Sequence, residues 1–269
     1  MTWSVGRGPR RGAFTGGPGG PGSGSGGSNG PTMPTGVMGP PAGATLLSDL
    51  TTAAAWTPEV DGFLTQPAGI GPGGDPVVRS TLQDGQNSNP GTGQTGVERN
   101  DVRWGDIPLG STRHMTWYQR MVQHATGIET AGGYYLLGPC EIHSTSTTLD
   151  QAPVQLHLGT GANWHPPGSA GNFMFESNGG SAQHDFVTVG LADIGVWHQV
   201  RLSIKFTNDN TGYTELWWDG VKKFGKYNFP TTLEAVPGYG KFGHYRSSEI
   251  NGTAIFEVSG CRVWKEGSL

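Results

Sequence analysis

Alternation of apolar and polar residues is the main pattern in the chain beyond its first quarter. From Val200 to Phe206 every second residue is apolar, and Thr214–Trp218 lead into Asp219-Gly220, a strong signal for a hairpin turn. Other strand-like segments are Val77–Leu82, Met115–Val122, Lys222–Phe224 and Ala254–Val258, the last continuing to Trp264. Strands at this short spacing, without a long helical pattern, predict an all-β sandwich or jelly roll.

Residues 1–43 break this pattern, being rich in Gly, Pro, Ser and Thr, with three arginines and no acidic residue. Short glycine triplets in this segment stop at Ser23 and Ala42, which excludes a collagen helix because its axis admits only glycine. The segment predicts an extended arm that orders along a partner, and a flexible linker is the alternative.

Residues 44–55 form a predicted connector between this arm and the sandwich, which we place at residues 56–269. Leu46, Leu47 and Leu50 have the spacing of one helical face, so the pattern predicts a short helix in the connector.

Composition agrees with a turn-rich β-protein and limits its partners. Of 269 residues, 34% are hydrophobic, 47 are glycine and 19 are proline. A net charge of −4 gives no general attraction to nucleic acid or anionic membranes, and no apolar run approaches the ~20 residues of a membrane span. Cys140 and Cys261 do not make a disulfide scaffold, and we expect two buried thiols; a bond between them, if both lie on strands, is the alternative.

The segment Tyr239–Arg246 has an unusual polar face. In a strand, Tyr239, Lys241 and Tyr245 share one face, whereas Phe242 and His244 share the other. Two phenols and an ammonium suit a groove for a hydroxyl-rich ligand better than a core. We also count Arg246, at the end of the segment, as a candidate ligand-binding residue.

Two further segments place reactive side chains at alternate positions. Arg99, Asp101 and Arg103 share one face of a predicted strand, and Glu141 and His143 share one face of another. No His, Cys and Asp cluster has zinc or EF-hand spacing, so we expect neither a metal nor a cofactor.

Together these segments resemble the three motifs of jelly-roll polysaccharide lyases, a group that includes alginate lyases, glucuronan lyases and heparin lyase I. The family motifs are Arg-x-Glu-Leu-Arg, Gln-x-His and Tyr-Phe-Lys-x-Gly-x-Tyr, in that order. Here they correspond to Arg99–Arg103, Glu141–His143 and Tyr239–Tyr245. The resemblance covers roughly residues 56–269 and implies a concanavalin-like jelly-roll sandwich.

The resemblance also implies a chemistry, β-elimination at a uronic acid. Arg99 neutralises the substrate carboxylate, which stabilises the charge that develops when the C5 proton leaves. His143 and Tyr245 take the roles of base and acid, with Tyr245 also able to act as the base. Lys241 holds a substrate carboxylate or lowers the pKa of Tyr245.

Glu141 departs from the family, which has a neutral glutamine at this position. An ionised Glu141 repels a uronate by an energy on the order of several kcal/mol at close range. Therefore Glu141 is protonated, or it pairs with Arg99, or the ligand is not a uronate. Together with Asp101 it also permits a glycoside hydrolase, since two carboxylates can act as acid and base.

The arm and the sandwich together resemble a minor tail protein of a phage. The first residues lack the apolar segment of a secretory signal, so we expect a virion protein released by lysis, or an extracellular protein if it is not viral. Expected partners are host surface polysaccharide and, through the arm, other tail proteins, in a homo-oligomer with a trimer favoured. The alternatives are a free polysaccharide lyase and a catalytically dead structural module.

Overall fold

The computed structural model describes residues 42–58, 64–86, 97–133, 135–137, 141–145, 152–162, 165–179 and 186–266. Of residues 57, 58, 97–101, 136 and 137 it describes the backbone. The predicted arm lies outside these ranges, apart from its last two residues.

The described residues form two antiparallel sheets of eight strands each. The first sheet contains β1 (Ala44–Asp49), β3 (Leu64–Thr65), β4 (Val77–Leu82), β6 (Ser111–Gln123), β12 (His198–Phe206), β13 (Tyr213–Trp218), β14 (Val221–Tyr227) and β16 (Ala254–Glu266). The second contains β2 (Thr57–Pro58), β5 (Val97–Ile107), β7 (Tyr135–Leu137), β8 (Glu141–Ser144), β9 (Val154–Leu158), β10 (Asn172–Ser177), β11 (Phe186–Leu191) and β15 (Gly238–Ser247). The all-β prediction is confirmed.

The order of strands in the first sheet is β14-β13-β12-β6-β16-β4-β3, with β1 added beside β16. The order in the second sheet is β11-β10-β9-β7-β15-β5-β2, with β8 between β15 and β9. Single turns of 3₁₀-helix at Ala53–Ala55 and Pro72–Gly74 connect strands. The predicted turn after β13 is also confirmed, because Asp219 and Gly220 both have positive φ, of 49° and 78°.

The hydrophobic core lies between the two sheets, as the alternation predicts. Phe206 and Phe256 come from the first sheet, and Phe242 from the second, and all three are fully buried. Phe242 lies 4.9 Å from the ring of Trp56 and 5.9 Å from that of Phe256. Inward residues of strands in both sheets therefore build one core, and the outward face of each sheet is left for other roles.

The connector differs from its prediction. Ala44–Asp49 form β1, which pairs with the end of β16, so Leu46 lies opposite Trp264. Leu46 and Leu47 are exposed, and only Leu50 is buried. The predicted helix is wrong because the leucine spacing did not mark a buried face, and pairing with a strand more than 200 residues away decides the backbone conformation.

Cys261 lies on β16 as a free, fully buried thiol, which agrees with the expectation for this residue. Cys140 lies outside the described residues. Within the described ranges, no helix has the length and apolar character needed to cross a membrane.

Candidate functional site

The three polar segments singled out in the sequence lie on neighbouring strands of the second sheet. β15 pairs with β5 on one side and with β8 on the other. In this register Lys241 lies opposite both Arg103 and Glu141, and Tyr245 lies opposite Arg99. Directly opposed residues of an antiparallel pair project to the same face, so the segments contribute to one surface.

We call this surface the polar row. It lies on the face of the second sheet that points away from the core. Its described members are Arg103, Asp106, Glu141, His143, Tyr239, Lys241 and Tyr245.

Tyr239 is at one end of the polar row, between cationic and aromatic neighbours from both flanking strands. The guanidinium carbon of Arg103 on β5 lies 4.1 Å from the centre of the Tyr239 ring. The ring of His143 on β8 stacks against Tyr239 at 5.5 Å, with 17° between the planes. The ammonium of Lys241 lies 5.8 Å from the same ring. These contacts fix the orientation of the phenol.

A bulge in β5 adds a residue to the site that the sequence did not indicate. Gly240 lies opposite Gly105, but Lys241 lies opposite Arg103, so Trp104 is the extra residue. The bulge lets Arg103 bind Asp106 at 2.7 Å, although residues three apart in a regular strand point to opposite faces. Gly105 has a φ of 132°, which favours glycine. A glycine inside this strand is therefore the sequence signal that marks the bulge.

Gly240 gives room for the same bulge. A Cβ atom at this position would lie 1.8 Å from the Trp104 indole, which is packed in the core. The departure from the family motif around Lys241 therefore has a structural reason, because the glycine accommodates the inward tryptophan.

Glu141 pairs with His143 rather than standing alone. The Nε2 atom of His143 lies 2.5 Å from Oε1 of Glu141, in position to donate a hydrogen bond to the carboxylate. Glu141 is only 5% exposed, whereas His143 is partly exposed. The sequence suggested Arg99 as a partner of Glu141, whereas the bonded partner is His143, which lies two residues away on the same face.

Arg99 and Asp101 belong to β5, where they lie opposite Tyr245 and Gly243. Their side chains lie outside the described part of the structure. Their backbone positions extend the polar row along β5.

Arg246 is not brought to the polar row. Its side chain lies on the inner face of β15, is fully buried, and donates to the Gly252 carbonyl at 2.9 Å and to Asp84 at 3.1 Å. Strand alternation is the reason, because Arg246 projects to the same side as Phe242. Its expected role in ligand binding is corrected to one in holding the end of the strand.

The inner face of β15 also holds a histidine that stays neutral. His244 is fully buried, within 3.0 Å of the Tyr135 hydroxyl and 3.3 Å of the Ser80 carbonyl. Burial, together with the nearby charge of Arg246, lowers the pKa of His244 to about 3, although the hydrogen bond to the Ser80 carbonyl opposes this shift. Burial also raises the pKa of Tyr135. These groups belong to the interior and do not face a ligand.

No group of three or more His, Cys, Asp or Glu side chains among the described residues has a metal-binding arrangement. The described side chains of the polar row carry phenol, imidazole, ammonium, guanidinium and carboxylate groups.

A sandwich of two antiparallel sheets is the architecture of a jelly-roll domain, and here one outer face carries the polar row. A family model for polysaccharide lyases matches residues 64–259, which is more than half of the chain. The chain belongs to the polysaccharide lyase family. The resemblance to this family is thereby confirmed, and the tail-protein context stays a prediction.

Solved structures give the same fold at low sequence identity. The endo-β-1,4-glucuronan lyase of the fungus Trichoderma reesei is 16% identical with a TM-score of 0.52, over 83% of this chain and 94% of that chain. The marine PL7 alginate lyase AlyA1 of Zobellia galactanivorans is 15% identical with a TM-score of 0.52, over 80% and 96%. A comparison with curated proteins finds no match. The jelly-roll prediction is confirmed by these structures.

Proposed function

We propose that this domain binds polysaccharide along the polar row and serves in a phage tail as the part that contacts host surface glycan. The observation that carries the binding proposal is the strand register, which gathers the three motif segments on β8, β15 and β5. Phenol and imidazole rings bind sugars by packing on C–H faces and by hydrogen bonding to hydroxyls.

Affinity electrophoresis of the full chain in gels containing polysaccharide tests the binding proposal. We expect at least one polysaccharide in the gel to retard the protein. Tyr239→Ala or Tyr245→Ala should then lower the affinity for that polysaccharide by about tenfold or more. Tyr227→Ala is the matched control, because Tyr227 lies exposed on β14 in the other sheet. Equal losses in the control and the two site variants would place binding elsewhere.

The tail context is supported by the composition of residues 1–43, which is typical of an arm that orders along a partner. Its test is the gene neighbourhood together with mass spectrometry of purified virions. Tail and capsid genes beside this gene, and the chain in intact particles, are the expected results. A gene among those for sugar catabolism, with no chain in virions, would contradict the tail role and favour a free lyase.

Cleavage by β-elimination is a second candidate, favoured by the backbone pairing of Tyr245 with Arg99 and by His143 on the same face. In this reaction the C5–H bond and the bond from C4 to the leaving oxygen break, and a C4–C5 double bond forms. A base takes the C5 proton and an acid protonates the leaving oxygen. An absorbance rise near the unsaturated-uronate band on incubation with polyuronates supports it. The absence of that rise across a broad panel contradicts it.

A further inference from the structure

The described ionic groups of the polar row are matched in sign within the chain. Arg103 is bound by Asp106 at 2.7 Å. Glu141 is bound by His143 at 2.5 Å and lies directly opposite Lys241 in the strand register. These four groups are two cations and two carboxylates, so their formal charges cancel when His143 is neutral.

The undescribed side chains of β5 leave this formal balance unchanged. Arg99 adds one formal positive charge and Asp101 adds one negative charge, at backbone positions opposite Tyr245 and Gly243. A site for a uronate requires an excess of cationic groups or neutral donors, because the ligand brings a carboxylate at every acidic sugar. The polar row has no such formal excess.

The burial of Glu141 strengthens its effect on a ligand. A carboxylate that is 5% exposed is screened less by water and salt than an exposed one, so its charge acts more strongly on a nearby ligand. Lys241, at 7% exposure, forms the floor of the polar row beside it. The more accessible members are Tyr239, His143, Tyr245, Arg103 and Asp106, which offer ring surfaces and hydrogen-bonding groups.

We propose that the polar row takes a neutral polysaccharide and that Glu141, held by His143, disfavours sugars that carry a carboxylate. This inference rests on the proposed function, in that the polar row is the polysaccharide site. A neutral sugar lacks the C5 carboxyl group that makes its C5 proton removable. A preference for neutral glycan therefore supports binding by the polar row and excludes the second candidate, β-elimination, at this site.

The experiment measures dissociation constants of the full chain for two sets of polymers by affinity electrophoresis. One set contains neutral glucan, mannan, galactan and arabinan, and the other contains polymannuronate, polyguluronate and polyglucuronate. We expect the wild type to bind a neutral polymer at least about tenfold more tightly than any polyuronate.

Glu141→Gln then tests the residue, because it removes the charge and keeps the shape. We expect this variant to bind polyuronates more tightly and to reduce the preference for neutral polymers over polyuronates by about tenfold. Thermal unfolding of the variant verifies that it is folded. Glu129→Gln is the matched control, because it removes one charge from an exposed residue elsewhere and should leave the preference unchanged.

The outcomes separate the inference from the proposed function. A wild type that binds polyuronates as tightly as neutral polymers overturns the inference and leaves the proposed function intact, as does an unchanged preference in a folded Glu141→Gln variant. A wild type that binds no polymer in either set overturns the proposed function itself. The wild-type comparison does not depend on any variant folding.

Discussion

The ten residues of β15 alternate between an inner face in the core and an outer face in the polar row. On the inner face, Phe242 and His244 are fully buried and contact the other sheet or its neighbours. On the outer face, Tyr239 and Tyr245 are partly exposed, and Tyr239 is flanked by side chains of both neighbouring strands. A polar group on this strand therefore points into the interior or toward the polar row according to its parity in the sequence.

Phe242→Ala is expected to give the largest effect, on the inner face. Removing a fully buried phenyl ring that contacts Trp56 and Phe256 leaves a cavity, and the free energy of unfolding should fall by about 4 kcal/mol. Chemical denaturation measures this loss. Tyr239→Ala, three residues away on the outer face, is the control and should lose about 1 kcal/mol. Equal losses of unfolding free energy in the two variants would show that the inner and outer faces do not differ in burial.

His244 gives the inner face a dependence on pH. Its pKa is about 3 in the folded protein and about 6.5 in the unfolded chain, so between these values only the unfolded chain binds the proton. The contribution of neutral, buried His244 to the free energy of unfolding is fully present above pH 6.5. It is lost as the pH falls, at about 1.4 kcal/mol per pH unit. Lowering the pH from 6.5 to 5 should therefore reduce the free energy of unfolding by about 2 kcal/mol through this residue.

His244→Gln isolates this contribution from that of the other histidines. Glutamine can hydrogen bond to the Tyr135 hydroxyl and the Ser80 carbonyl, but it does not titrate. The variant should be less stable at pH 7 and should have a shallower dependence on pH, measured by denaturation at several pH values. The same slope in wild type and variant would mean that His244 is protonated in the folded protein.

The sequence predicted the alternation of β15 correctly because parity depends only on local geometry. It placed Tyr239, Lys241 and Tyr245 on one face, and Phe242 and His244 on the other, as the structure has them. The general location of the strands was also predicted, since alternating segments and the Asp219-Gly220 turn are local signals.

Features that depend on distant partners or on local irregularity were not predicted. Leu46 and Leu47 suggested a helix because spacing alone does not reveal pairing with β16. The bulge at Trp104 shifted the parity of β5 and brought Asp106 to Arg103. The bond between Glu141 and His143 required the side-chain conformations, since two residues on one face can point together or apart.

Tyr245→Phe should give the smallest effect on stability, and it tests the outer face most directly. Tyr245 is partly exposed, so removing its hydroxyl should change the free energy of unfolding by less than about 0.5 kcal/mol. If the phenol hydrogen bonds to bound sugar, the same change should weaken binding to the retained polymer by about fivefold to tenfold. Denaturation and affinity electrophoresis on one preparation measure both quantities. A large loss of stability would assign Tyr245 to the structural group with Phe242, and unchanged binding would remove its hydroxyl from the ligand contacts.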